Sequence, residues 1–209
     1  PVSFISMRGR YKGGLLPPVD GNCYRRMRQY AAAYEPGSGM GFARAVVRAK
    51  VSNALGLITR HHRRSALPEY HEYRMTTETV LKRIDVAQDR EALMGLEGFA
   101  ARAYYYMFTR LFGAEWGFTR RTRRPPADPV NAVLSFGYTL VSSELSALVE
   151  SHGLDPGIGF YHTLEYGRPS LAVDLVEEFR APLVDRFALY LTRRKILSPA
   201  DFETVEGKG

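Results

Sequence analysis

A chain of 209 residues with 45% hydrophobic and 12% aromatic side chains can fill the core of one large domain, or of one domain plus a fragment. No apolar run approaches the ~20 residues of a membrane span, no leader pattern opens the chain, and Cys23 is alone, so we expect a soluble, disulfide-free cytoplasmic protein with no membrane partner. Net charge is +7, with arginine outnumbering lysine 24 to 5; the guanidinium fork suits phosphate, so nucleic acid is the expected partner, against the plainer alternative of a GC-rich genome favouring arginine codons.

Residues 1–7, PVSFISM, alternate apolar and small residues and predict one short strand, followed by a glycine-rich turn through Gly14. A single strand cannot stand alone. Its partners are therefore expected outside this sequence, and the start at Pro1 fits a piece of a longer protein. After Pro17–Pro18 the pattern turns helical. A basic amphipathic segment covers 22–34, and Phe42, Val46, Val47, Val51, Leu55 and Ile58 recur at helical spacing over 41–60. Residues 61–77 read as a polar connection carrying His61, His62 and His71. Two helices, 78–90 and 91–112, follow and can run into one another. Glycines and prolines make 112–129 a loop. The next helix has Asp128 at its N-cap and Pro129 at its first position, and Gly153 ends it. Ser170 is expected to cap a last continuous helix reaching about Arg194.

That last segment concentrates acid in a basic protein. Asp174, Glu177 and Glu178 stand at i, i+3 and i+4, where like charges repel. A helix dipole near its N-terminus explains one acid well and three poorly; a divalent cation would remove the repulsion. His162, in GFYH, is by itself more often structural than a ligand, and the other histidines read as surface or capping residues. Glu97 sits between Gly95 and Gly98 inside a helix, each glycine costing about 1 kcal/mol relative to alanine. Such small neighbours let a substrate approach an acid, though plain helix packing uses them too. The loop RRTRRPP presents Arg120, Arg121, Arg123 and Arg124 beside Trp116, Phe118 and Arg110, a candidate phosphate contact. Arg168 joins them as a DNA-binding candidate.

The segments LEGFAARAYYYMF, RRTRRPPADPVNAVLSFGYTLVSSEL, GLDPGIGFYH and GRPSLAVDLVEEFR, in that order, resemble the CRISPR-associated integrase of spacer acquisition, the first-numbered of the CRISPR-associated proteins. The resemblance runs from about residue 1 to 203 and is strongest over 94–180. It implies a mainly α fold: a helical catalytic domain over 17–209, with 1–16 as the short remnant of an N-terminal β-domain. It also implies a metal-dependent DNA endonuclease and integrase. The family's metal ligands fall on Glu97, His162 and Glu177 by position, with Asp174 as an auxiliary acid and Glu178 as a spare.

Mg²⁺ or Mn²⁺ is the implied ion, since hard cations prefer oxygen and an imidazole shifts preference toward Mn²⁺. The implied partners are double-stranded DNA (spacer precursor and CRISPR repeat), a second copy of the full-length parent, and the small second adaptation protein. Two other readings stay open: a helical DNA-binding subunit that has lost catalysis, and a transposon-borne relative integrating outside CRISPR loci.

Overall fold

The computed structural model describes residues 2–7, 11–15, 23–35, 37–123 and 125–203. In chain order these form β1 (Val2–Ile5), β2 (Tyr11–Leu15), α1 (Cys23–Tyr34), α2 (Met40–His62), α3 (Tyr70–Asp85), α4 (Arg90–Thr109), α5 (Pro129–Ser151) and α6 (Ser170–Phe179). A π-helical segment, Arg180–Asp185, then leads into α7 (Arg186–Arg193). The fold is mainly α, as expected.

The hairpin corrects the expectation of a partnerless strand. β1 pairs antiparallel with β2, Val2 opposite Leu15 and Phe4 opposite Gly13; the glycine-rich stretch expected as a turn is itself the partner strand. A two-stranded ribbon is marginal alone in water, and this one rests against α5.

α2 is the central helix. Its buried residues Ala43, Val47, Val51, Ala54 and Ile58 step by three or four positions, giving one apolar stripe. Against it pack α3, α4, α6 and the π segment. One core cluster gathers Ile58, Phe108, Leu134 and Ala188; the other gathers Val47, Val51, Ile84, Leu93 and Tyr161. Tyr161 thereby anchors the GFYH turn to the helical body.

Helix boundaries follow local chemistry. The expected connection over 61–77 shrinks to 63–69, because Tyr70, Tyr73 and Thr77 form a buried helical face that starts α3 early. α3 and α4 are separate: the Asp89 carboxylate accepts from Ala92 N at 2.7 Å and caps α4. Asp128 accepts from Asn131 N at 2.8 Å with Pro129 at the first position, and Gly153, at φ 73°, closes α5. α5 also corrects the hydropathy reading. It is 23 residues long and its most apolar stretch has a mean hydropathy of 1.4, enough by length and composition to cross a membrane; in this fold a third of that stretch is buried, with Val130 and Leu134 in the core.

The last helix is not continuous. Pro182 has no N–H to give the Glu178 carbonyl four residues back. Asn53 Nδ2 of α2 donates to that carbonyl instead, at 2.8 Å. The backbone widens into a π turn around the proline, a recognised way to absorb such a break. Ser170 does not cap: it is the buried first residue of α6, with its hydroxyl 3.3 Å from Thr163 O.

Candidate metal and nucleic-acid site

α4, α2 and α6 bring three charged side chains to one point. Glu97 of α4 pairs with the Lys50 ammonium of α2, and Glu177 of α6 reaches the same nitrogen at 2.5 Å. Arg180, one turn beyond Glu177, donates from Nη2 to Glu177 Oε1 at 2.9 Å, and its Nε lies 2.8 Å from Oε2. Its guanidinium also sits 4.4 Å from the centre of the Tyr138 ring. Glu177 is only 4% exposed. Burial alone would push its carboxyl up, but Lys50 and Arg180 outweigh burial and hold it at about 2. Glu177 is therefore an anion at any working pH.

A cavity of about 50 Å³ adjoins this point, lined by Lys50, Tyr73, Glu97, Tyr105, Arg123 and Arg180 among others. The buried Tyr73 hydroxyl has no hydrogen-bond partner there among the described residues. Beside Glu97, a Cβ added at Gly95 or Gly98 would meet nothing within 4 Å. At about 100° per residue, Gly98 borders the acid and Gly95 lies farther round, so it is Gly98 that leaves α4 open next to Glu97.

Asp174 plays a different part from the one expected. It is fully buried, and both its oxygens are taken. Oδ2 accepts from Phe160 N at 2.7 Å and Tyr161 N at 2.9 Å; Oδ1 accepts from His162 N at 2.9 Å and lies 2.7 Å from His162 Nδ1. A Cβ at Gly159 would come within 2.7 Å of Asp174 Oδ2, so the turn closes on the carboxylate only with glycine there. Asp174 is thus the organiser of the GFYH turn and not a free auxiliary ligand. His162 keeps Nε2 as the ring nitrogen that Asp174 does not engage, the arrangement in which a carboxylate orients a histidine for a metal. Tyr161 stands between the two groups: burial first, then Glu97, Glu177 and Asp174, raise its hydroxyl far above the usual tyrosine range.

The expected three-ligand set is not assembled. Among the described residues no group of three or more His, Cys, Asp or Glu side chains converges to hold a metal. Glu97 and Glu177 converge on Lys50, while His162 closes on Asp174. Two carboxylates around one cation still suit Mg²⁺, which keeps several waters and is held by one or two carboxylates plus substrate phosphates. The donor set of Glu97 and Glu177 therefore fits such an ion in exchange for the ammonium.

The arginines divide. Arg123 is exposed and lines the cavity, and Arg120 is exposed. Arg121, expected as a phosphate contact, is turned inward, donating to Asn131 Oδ1 at 2.8 Å and Ser135 Oγ at 3.0 Å. Arg168 pairs with Glu165 at 3.1 Å, and Arg124 lies outside the described residues. Asn131, fully buried, ties the loop down: its Nδ2 donates to Arg120 O and Asp128, and its Oδ1 accepts from Thr122 N. Sequence reasoning missed Lys50, Arg180 and Asn131. The i+3 spacing from Glu177 is the signal for Arg180. Lys50 is the single lysine of α2, flanking its buried stripe.

Comparison with known proteins completes the picture. The family described as CRISPR associated protein Cas1 matches residues 1–209. The chain is 37% identical over 206 residues to the CRISPR-associated endonuclease Cas1 3 of Thermus thermophilus, covering 99% of this chain and 60% of that protein. The chain thus spans about three fifths of that relative's length. Among solved structures, a partial Cas6-RT-Cas1–Cas2 complex superposes with a TM-score of 0.85 at 28% identity, over 99% of this chain and 62% of that one. A Cas1 protein from Thermotoga maritima gives 0.80 at 26%, over 98% and 64%. With a match from the first residue to the last, and this helical body recurring in solved Cas1 structures, the chain belongs to the Cas1 family of CRISPR-associated proteins.

Proposed function

We propose that this chain carries the nuclease and strand-transfer centre of a CRISPR adaptation integrase, acting on phosphodiester bonds of double-stranded DNA with Mg²⁺ or Mn²⁺ held by Glu97 and Glu177. The observation that carries this reading is the convergence of two carboxylates from separate helices on one cationic nitrogen. A buried acid beside a half-buried one needs a positive partner, and a divalent ion supplies what Lys50 supplies here. What such an ion adds when bound is charge neutralisation at the scissile phosphate. The protein's own groups do the rest. Arg180 holds Glu177 ionised and oriented. Asp174 fixes the His162 ring so that Nε2 is the nitrogen left for a third ligand role. Arg123 at the cavity and Arg120 nearby contact backbone phosphate, which positions DNA without reading its sequence. The attacking group is then the 3′-hydroxyl of incoming DNA in integration, or water in hydrolysis.

The name of the Thermus relative, an endonuclease, and a solved complex pairing Cas1 with Cas2 support DNA as substrate and the small second adaptation protein as partner. Self-association of the full-length protein and a cytoplasmic location belong to the same proposal. The test is Mn²⁺-dependent nicking of branched DNA by the wild type, Glu177→Ala and Glu178→Ala. Adjacent residues on a helix point about 100° apart, and Glu178 lends its carbonyl to Asn53. Glu177→Ala should be inactive and Glu178→Ala active. The reverse pattern assigns the wrong acid, and cleavage that persists in EDTA excludes the metal. DNA binding without cleavage in the wild type would make the chain a binding subunit.

A further inference from the structure

A second cavity lies at the C-terminal end of α2. It encloses about 260 Å³ and is lined by Leu57, Arg60, His61 and Arg64 from one side and Arg186, Leu189, Tyr190, Arg193 and Arg194 from the other. Residues 57, 60, 61 and 64 are spaced i, i+3, i+4, i+7, and so are 186, 189, 190 and 193. The end of α2, with Arg64 in the turn just after it, and the whole of α7 therefore face each other with one stripe each. Leu57 and Leu189 are buried and make an apolar floor; five guanidiniums make the rim.

Nothing on that rim is acidic. Arg60, Arg64, Arg186 and Arg194 have no carboxylate partner among the described residues, and Arg193 donates only to the Leu111 carbonyl, at 3.2 Å. Helix C-termini welcome one or two cations through the dipole, but five around one cavity repel each other unless an anion joins them. His61 lies among these cations. Burial, then Arg193, Arg64 and Arg60, lower its imidazole to about 4, and its buried Nδ1 has no hydrogen-bond partner among the described residues.

An aromatic step adjoins the cations. Tyr190 lines the cavity and stacks on Phe187, ring centres 6.3 Å apart and planes 15° from parallel. Both are exposed, at 51% and 56%. A cationic groove that meets an exposed aromatic stack is how proteins hold a single strand, phosphates on arginine and bases on rings. We propose that this groove binds single-stranded DNA, with its phosphates along Arg60, Arg64, Arg186 and Arg194 and a base stacked on Tyr190. This rests on the reading of DNA as substrate. It adds a second contact, about 15 Å along α2 from Lys50 at 1.5 Å per residue, and the strand form that occupies it.

The experiment measures binding of fluorescent oligo(dT), which stays unstructured, across a salt series. Two variants are compared with the wild type: Arg64→Ala/Arg194→Ala and Tyr190→Ala, all at exposed positions, with helicity and melting checked first. The double arginine variant should bind more weakly, its salt slope falling by about 0.7 per lost contact. Tyr190→Ala should lose about tenfold in affinity with its slope unchanged. Unaltered binding in both variants overturns the proposal. So does displacement of oligo(dT) by inorganic tripolyphosphate with no effect of Tyr190→Ala, which marks a polyphosphate site, and so does an equal loss for duplex DNA. Glu177→Ala separates the two readings: inactive yet binding oligo(dT) normally, it supports both. If Glu177→Ala still cleaves, the site at Glu97 and Glu177 fails while the groove stands.

Discussion

Lys50 Nζ lies 2.5 Å from Glu177 Oε2 and also contacts Glu97, so a single ammonium neutralises carboxylates from two helices. Glu177 has Arg180 as a second partner, whereas no other cation is paired with Glu97 among the described residues. Lys50→Met should therefore destabilise the metal-free protein by about 1 kcal/mol, the low end of the cost of stranding a polar group, because Glu97 is only partly buried. If the two glutamates take a divalent ion, Mn²⁺ should raise the melting temperature more in Lys50→Met than in the wild type. The ion no longer has to displace the ammonium, and tighter binding to the native state means larger stabilisation. Equal shifts, or none, would show that the glutamates do not hold the ion.

Asp185 predicts a pH dependence of stability. It is buried at the end of the π segment, where Tyr104 and Tyr138 donate to it, the former at 2.6 Å. Burial is the largest influence and raises its carboxyl from 3.8 to about 6, against the opposing pull of the tyrosine hydrogen bonds, Arg180 and Arg121. Between those values the folded protein keeps a proton that the unfolded chain has released. This group's contribution is thus most favourable below about 4 and is lost as pH rises through about 6. The loss should amount to roughly 2–3 kcal/mol. Denaturant melts of the wild type and Asp185→Asn from pH 4.5 to 7 isolate it, because the amide does not titrate. A difference between the two that stays constant across that range would remove Asp185 as the cause.

The helical body was legible because burial imposes periodicity. Val47, Val51 and Ile58 mark α2 without help from tertiary structure, and Asp128–Pro129 marks the start of α5 by local chemistry alone. What hid was whatever depends on a distant partner. The π turn follows from Pro182, but its tolerance rests on Asn53, 129 positions earlier. β2 carries too much glycine for strand propensity and is recognisable only once β1 lies beside it. In the site, acids could be picked from spacing and resemblance, yet Asp174 looked like a ligand because its four partners are a histidine and backbone N–H groups of a turn. No side-chain pattern advertises those.

The arginine loop divides by the same logic, and binding should show it. Arg121→Ala strips donors from Asn131 and Ser135 and should lower stability by about 1–3 kcal/mol. Its effect on DNA affinity, measured well below the melting point, should be small. Arg120→Ala/Arg123→Ala should leave melting unchanged and weaken duplex binding at all sequences alike. The slope of log K against log salt should also flatten, by about 0.9 for each lost phosphate contact. Should Arg121→Ala alone flatten the slope while the double variant does not, the inward arginine is the DNA contact and the assignment is reversed.

Gly98 tests whether the open face beside Glu97 serves a substrate. A Cβ there meets nothing within 4 Å, and glycine inside a helix costs about 1 kcal/mol relative to alanine. Gly98→Ala should therefore raise the melting temperature by about 2–4 °C, the shift that 1 kcal/mol produces in a protein of this size. If DNA approaches along this face of α4, the added bulk of Gly98→Leu should reduce nicking severalfold while the protein stays at least as stable as the wild type. Stability and cleavage would then move in opposite directions, which packing alone cannot produce. Full cleavage by Gly98→Leu would mean that DNA reaches Glu97 from another side.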